Sequence, residues 1–466
     1  MFLLSSLLPI SFGILAYIFN KKHKIFAIFS YIIEFYILIF SKFGTIIPGK
    51  WNPINGIELL YNYEIKVILL SIFLFSLINY IRIIKKYGSE FTFLWLILNG
   101  VINSFFMSRD FFNLYVHLEL ISMIVFLLIP LDRTEKRIWA SLKYMIMSGV
   151  ALNFYLIGVG IWYSVSGTLN IIEIQNYTMP IFAQTFIVTG LLIKTGSFFL
   201  GGWLPDAHAE AMKGISPILS GIVVELGYFI LYYINGSFDN KIKRMLVYYA
   251  VIATIVSSIF TYFQNNFKRY LAYSTMTQMG YALLVICLKP ELFPYFFIYH
   301  LFSKGFLFFI AEDLHMEKMN EKKIEVSLDT FILTALLLFN MSGIYPSTLY
   351  FIKKAIHSPI IFEINAFIFG LYFIKLLNGM KINFKIKPLK IYMFFSFFIF
   401  YFLSYNYYVF DLKKVLISYV MFIFAFVFHK ILKKFNGEKF NIYKFEDTII
   451  YQMIFVVFLM LMEVLK

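Results

Sequence analysis

The chain is a succession of about sixteen apolar runs, each near the roughly 20 residues that cross a bilayer as an α-helix, separated by short polar segments. They fall near residues 2–19, 24–41, 63–83, 91–108, 111–131, 138–165, 180–200, 215–234, 244–263, 270–288, 292–312, 328–355, 358–378, 389–408, 412–432 and 447–465. In lipid every backbone polar group must find its partner within the protein, so such runs become helices. The expectation is an all-α, polytopic integral membrane protein of about 14–16 transmembrane helices. With 61% hydrophobic and 14% charged residues, the composition belongs to the same class.

The net charge of +15 does not point to nucleic acid, because the basic residues sit in short inter-helix segments rather than on one face. Lys21, Lys22 and Lys24, then Arg82, Lys85 and Lys86, then Arg133, Lys136 and Arg137 follow the first, third and fifth runs. Positive loops stay cytoplasmic, so the chain is expected in the cell membrane with its N-terminus outside. The first run lacks the basic flank and small-residue site of a cleaved signal. A single cysteine, Cys287, excludes a Cys-ligated cluster and an internal disulfide, and no Gly-rich nucleotide loop or zinc-ligand spacing is present. The expectation is no cofactor in this chain, with any redox centre held by partner subunits.

Charges inside the apolar runs carry the functional signal. Between Leu191 and Leu231 the sequence holds Lys194 and Glu225, and an ionisable group at bilayer centre costs about 2.5–3.5 kcal/mol on insertion scales. Two runs also read as broken helices. The seventh carries Gly201, Gly202 and Pro205 after Lys194, and the twelfth carries Gly343 and Pro346 before Lys353. Interrupted helices at matching places in two halves mark the transport site of an inverted-repeat transporter. The expected layout is N-terminal helices over 1–90, a first five-helix repeat over 91–234, a second, inverted one over 244–378, and C-terminal helices over 389–466.

The residues also carry a resemblance. WLPDAHAEA with SPILSG behind it, FKRYLAYSTMTQMGYALL, HLFSKGFLFF, GIYPSTLYFIKK and LYVHLELISM resemble the antiporter-like subunit family, as does LKYMIMSGV before Gly167-Thr168-Leu169 more weakly. That family spans the proton-pumping membrane subunits of respiratory complex I, Mrp-type sodium/proton antiporters and energy-converting membrane-bound hydrogenases. The resemblance covers about Phe91 to Lys375. It implies that Glu119 and Lys194 form a gating ion pair, and that His300, Lys304 and Lys353 belong to the same translocation row. At Glu225 the chain departs from the family, whose members commonly carry lysine or histidine there. Lys194 then either lies between two carboxylates, favouring a cation-attracting site such as one for sodium, or is simply neutralised by Glu225.

A lysine removed from water can take up and release a proton, and a neighbouring carboxylate tunes that exchange. His300 and Lys304 stand four apart on one helix face, about 6 Å along its axis. Strung along the membrane midplane, such groups form a relay whose ends open alternately to the two sides. Lys143 and Lys375 are further candidates, Glu34 is another interior charge, and Lys354 reads as an interfacial anchor. Asp206, His208 and Glu210 have metal-ligand side chains but lie in a loop, where capping and loop ordering are the expected roles.

The resemblance implies an ion-translocating subunit, with protons favoured over sodium, in a multi-subunit redox complex. Its partners would be other membrane subunits and a peripheral redox arm holding iron-sulfur clusters and a nickel-iron centre or a flavin. The alternative is a subunit of an Mrp-type secondary Na+/H+ antiporter. A third reading is a conduction-silent scaffold of a membrane arm.

Overall fold

The computed structural model describes residues 1–52, 56–173, 177–314, 324–345, 347–356, 359–378, 380–383, 420–421 and 423–425. The apolar runs near 389–408, 412–432 and 447–465 lie largely or wholly outside these residues, as does Pro346.

Each of the first thirteen apolar runs forms helix. In chain order these are α1 (Leu4–Ile18), α2 (His23–Phe40), α3 (Tyr63–Ile83), α4 (Ser89–Met107), α5 (Phe111–Leu128), α6 (Glu135–Ser166) and α7 (Ile181–Lys194). There follow α8 (Leu204–Glu210), α9 (Ile215–Gly221), α10 (Leu226–Ile234), α11 (Asn240–Phe263), α12 (Phe267–Leu288), α13 (Phe293–Leu314), α14 (Leu328–Ser342), α15 (Thr348–Ile356) and α16 (Pro359–Asn378). Among the described residues, nine helical stretches are long and apolar enough to cross a membrane. Several start at side-chain caps: Asn62 accepts from the Ile65 amide, Asp110 from Asn113 and Asn266 from Arg269. Burial pushes the Asp110 carboxyl above its ordinary range.

The fold is not helical throughout. Gly44–Ile46 (β1) pairs antiparallel with Leu59–Tyr61 (β2), and Ile324–Ser327 (β3) pairs parallel with Met380–Asn383 (β4). These segments join helices, and pairing satisfies backbone groups that no helix serves.

By packing, the described residues divide into two units. The first holds Met1–Gly196 and Glu210–Arg244, and the second holds Ser197–Ala209 and the residues from Met245 onward. While the residues on either side of it pack within the first unit, Ser197–Ala209 packs within the second. There Tyr249 Oη donates to the Phe198 carbonyl, Asp206 pairs with Arg269, and the His208 ring stacks on Phe308 at 4.8 Å.

Within the first unit α6 and α7 lie close. A Cβ on Gly190 would stand 2.5 Å from the Ala151 carbonyl oxygen, and one on Gly158 would stand 2.9 Å from that of Ala183. Small residues allow this approach, the usual device for packing helices in lipid. It brings Lys194, one turn beyond Gly190, against the face of α6 that carries Tyr144 and Ser148.

Candidate functional site

Lys194 is the last residue of α7 and is 1% exposed. Its ammonium donates to Ser122 Oγ on α5, to Tyr144 Oη at 3.2 Å and to Ser148 Oγ at 2.9 Å on α6. It also lies 5.0 Å from the centre of the Tyr144 ring. Three hydroxyls meet three N–H bonds. Each hydroxyl accepts one of these bonds, and Ser122 Oγ in turn donates to the Leu118 carbonyl at 2.6 Å. The position at a helix C-terminus adds a favourable field for a cation.

The expected ion pair with Glu119 is absent. Glu119 lies one turn before Ser122 on α5 and is half-buried, and the lysine amine reaches the hydroxyl instead. Nor does Lys194 pair with Glu225, which is fully buried in the turn Val223–Glu225. Lys194 is therefore not held between two carboxylates, because hydroxyls on α5 and α6 occupy its donors. Lys143, next to Tyr144, is half-buried and outside the set of groups that hold Lys194.

The helix interruptions fall close to their expected places. After Lys194 the chain leaves helical geometry, passes Phe199 at φ 73 and resumes helix at Leu204. A bulky residue in the left-handed region is strained. Gly201 and Gly202 are buried in the interruption, and Pro205 is the second residue of α8, where a missing amide hydrogen does no harm. A further break, not expected from the sequence, divides the run 215–234 at Ile222, and Glu225 sits in it.

The second unit holds the other lysines. Lys304 on α13 is fully buried and donates to the Leu271 carbonyl at 3.1 Å and to Ser274 Oγ on α12. His300, one turn earlier and also fully buried, stacks on Phe296 with ring centres 6.1 Å apart. Lys353 in α15 donates to the Ser342 carbonyl at 3.4 Å, the last residue of α14. Helix C-terminal carbonyls lack intrahelical partners, so the amine completes that end. Gly343 follows at φ 66, and a Cβ there would collide with Lys353 Nζ. Lys375 on α16 donates to the Tyr262 and Gln264 carbonyls at the end of α11, a capping position away from the Lys304 contacts. Asp206, His208 and Glu210, expected in a loop, lie on α8 instead; there Asp206 pairs with Arg269, and the Glu210 carbonyl accepts from Arg137 Nε.

Two further residues were not among the sequence candidates. Asn340 on α14 donates to Ser303 Oγ, next to Lys304, and accepts from the Thr348 amide that begins α15. It ties the interruption before Lys353 to the helix bearing Lys304. Gln278 on α12 is fully buried, and among the described residues no group hydrogen-bonds its side-chain amide. It lies one turn from Ser274, as His300 lies one turn from Lys304, and both steps lead towards the connection at Pro290–Leu292. The visible signal was the polar spacing Tyr270, Ser274, Gln278 inside an apolar run.

Residues 108–380 match the family described as NADH:quinone oxidoreductase/Mrp antiporter, transmembrane. The chain is 32% identical over 273 residues to NADH-quinone oxidoreductase subunit N of Desulforudis audaxviator, covering 53% of this chain and 54% of that one. It is 26% identical over 229 residues to a Na(+)/H(+) antiporter subunit of Alkalihalophilus pseudofirmus, covering 45% and 46%. The chain thus matches about half the length of these relatives. A chain in the structure of the membrane-bound sulfane sulfur reductase, an archaeal respiratory membrane complex, superposes with a TM-score of 0.77 at 19% identity, covering 90% of this chain and 97% of that one. At that identity the likeness is one of fold.

Proposed function

The chain belongs to the NADH:quinone oxidoreductase/Mrp antiporter transmembrane family, and from that premise we propose that it is a proton-translocating membrane subunit of a multi-subunit, redox-driven complex. The observation that carries the reading is Lys194, 1% exposed at the end of an interrupted helix and held by three hydroxyls instead of a carboxylate. A buried lysine of this kind is an expensive feature for a scaffold and a natural station for a moving proton.

In this reading Lys194 with Glu119 and Glu225, and His300 and Lys304 with Lys353, are the proton-binding stations, and the helix interruptions let each station change its access. Lys143 and Lys375 are subsidiary. The two lysine-bearing interrupted helices belong to five-helix repeats of opposite topology, over 91–234 and 244–378. The chain sits in the cell membrane with its N-terminus outside. Its partners are further membrane subunits and a peripheral arm whose iron-sulfur clusters, with a nickel-iron centre or flavin, carry the electron chemistry. Conformational or electrostatic change in those partners drives the ion.

The second reading, an Mrp-type Na+/H+ antiporter subunit driven by gradients alone, is favoured by the match to the Alkalihalophilus pseudofirmus antiporter protein. Purification of the intact native complex separates the two. Copurifying iron-sulfur or nickel-iron subunits support the first, and small antiporter subunits with no redox protein support the second. In proteoliposomes of that complex, Lys194→Met is expected to abolish ion movement. Full movement in this variant would leave the conduction-silent scaffold as the reading.

A further inference from the structure

Outside the matched residues, the N-terminal helices hold a second seam of buried polar side chains. Glu34, in α2, is 3% exposed. Its Oε1 accepts from Asn103 Nδ2 on α4 at 2.7 Å, and the same amide donates to the Ser5 carbonyl on α1 at 2.9 Å. Among the described residues no cation pairs with this carboxyl. One turn earlier on α2, Tyr31 Oη accepts from Trp95 Nε1 at 2.9 Å and bonds Ser76 Oγ at 2.8 Å, which donates to Asn99 Oδ1 at 2.8 Å. The Tyr31 ring packs 5.7 Å from that of Tyr80. Tyr80 Oη lies 3.2 Å from Thr92 Oγ1, which lies 2.8 Å from His23 Nδ1. His23 begins α2 beside Lys21, Lys22 and Lys24, and the side chains between it and Glu34 on the seam are at most 5% exposed. The eleven residues from His23 to Glu34 rise about 16 Å, roughly half the hydrocarbon core.

A purely structural role does not account for glutamate here. The bond from Asn103 needs only a carbonyl oxygen, which glutamine would supply without a titratable group. An uncompensated carboxyl in lipid is among the most expensive choices for holding helices together. The neighbouring titratable groups are Tyr31 on α2 and, beyond it, Tyr80 on α3, whereas α1 and α4 present the Ser5 carbonyl, Asn99, Asn103 and Trp95. At the surface end, His23 has Lys24 beside it.

We propose that Glu34 is a proton-binding site separate from the lysine stations, supplied along the α2–α3–α4 seam from the membrane surface at His23. A proton leaves the imidazolium of His23 as an N–H bond breaks, and the Thr92 and Tyr80 hydroxyls each accept one proton and give up their own. Tyr80 and Tyr31 meet here only through their rings, and Tyr31 does not hydrogen-bond Glu34, so side-chain motion must bring the Tyr80 hydroxyl to that of Tyr31 and the Tyr31 hydroxyl to Glu34, where an O–H bond forms. This rests on the reading of the chain as an ion-translocating subunit.

The test uses the native complex reconstituted in lipid, with infrared difference spectroscopy of carboxylic C=O bands and transport measured in parallel. The wild type is expected to show a C=O band that titrates, shifts in D2O and is lost in Glu34→Gln, with Glu34→Gln also slowing transport several-fold in an assembled complex. Thr92→Val, which removes one hydroxyl at nearly constant volume, is expected to slow the D2O shift and leave the band in place. A band unaffected by Glu34→Gln, or one that neither titrates nor shifts, overturns the assignment. If Lys194→Met stops transport while Glu34→Gln does not slow it, this inference alone falls. If neither variant changes transport, the translocation reading falls and takes this inference with it.

Discussion

The Lys353 amine lies directly over Gly343: a Cβ on that glycine would collide with Nζ, and the same Nζ donates to the Ser342 carbonyl. The left-handed turn that ends α14 and the lysine that caps it are thus one arrangement. Gly343→Ala is expected to lower stability by about 1–3 kcal/mol from the backbone alone, with a further loss from displacing the amine. In a thermal-unfolding cycle, Gly343→Ala combined with Lys353→Ala should cost less than the sum of the two. Additive losses would show that the two residues act independently.

Around Lys194 the hydroxyls are expected to act as a set. Ser148→Ala removes a bond to a charged group, worth about 1.5–3 kcal/mol, and Tyr144→Phe removes a second while keeping the ring beneath the amine. Each should slow transport by roughly tenfold or more if the bond matters in the limiting step. Both assembled complexes should retain normal subunit composition on native gels. Unchanged rates in both variants would assign the hydroxyls to packing.

Asn340→Leu is nearly isosteric but leaves the Thr348 amide without its acceptor. A buried donor left unmade costs about 1–3 kcal/mol, so the melting temperature should fall. Because Asn340 also binds Ser303 beside Lys304, transport should fall too, and the corresponding change at exposed Asn240 should do neither.

Asp110 gives a pH dependence with a definite sign. Burial raises its carboxyl in the folded protein, so its acid form is favoured by folding. That contribution is complete below the ordinary carboxylate range and is lost as pH rises through the folded value. Asp110→Asn keeps an acceptor for the Asn113 amide and should flatten the fall in stability with rising pH, measured by thermal melts. Asp110→Ala loses the cap and should cost about 1 kcal/mol.

Glu225→Gln keeps the size and removes the charge. If Glu225 selects the ion, the variant should change transport or its sodium dependence in proteoliposomes. Transport identical at every sodium concentration would make Glu225 a structural residue of the turn at 223–225.

Much of this protein was legible in its residues. Thirteen apolar runs became helices because the length and composition of a bilayer-spanning helix are local properties. The interruptions after Lys194 and at Gly343 were legible because glycine and proline act on their own backbone. The break at Ile222 was not read from the sequence, although Gly221, the last residue of α9, stands beside it, because a lone glycine inside an apolar run permits a break without requiring one. Interior charges stood out against their runs, but their partners did not. Resemblance paired Lys194 with Glu119, and the structure gave it Ser122, Tyr144 and Ser148 instead. Lys375 was a further interior candidate, and its amine sits on the carbonyls at the end of α11.

Local sequence therefore determined that this chain crosses a membrane many times, where two of its helices break, and which side chains are costly enough there to have a function. Tertiary structure alone decided what each of those side chains touches. A hydrogen bond depends on ångström-scale placement of groups from different helices, and the close packing of α6 on α7 at Gly158 and Gly190 sets which hydroxyl meets the lysine.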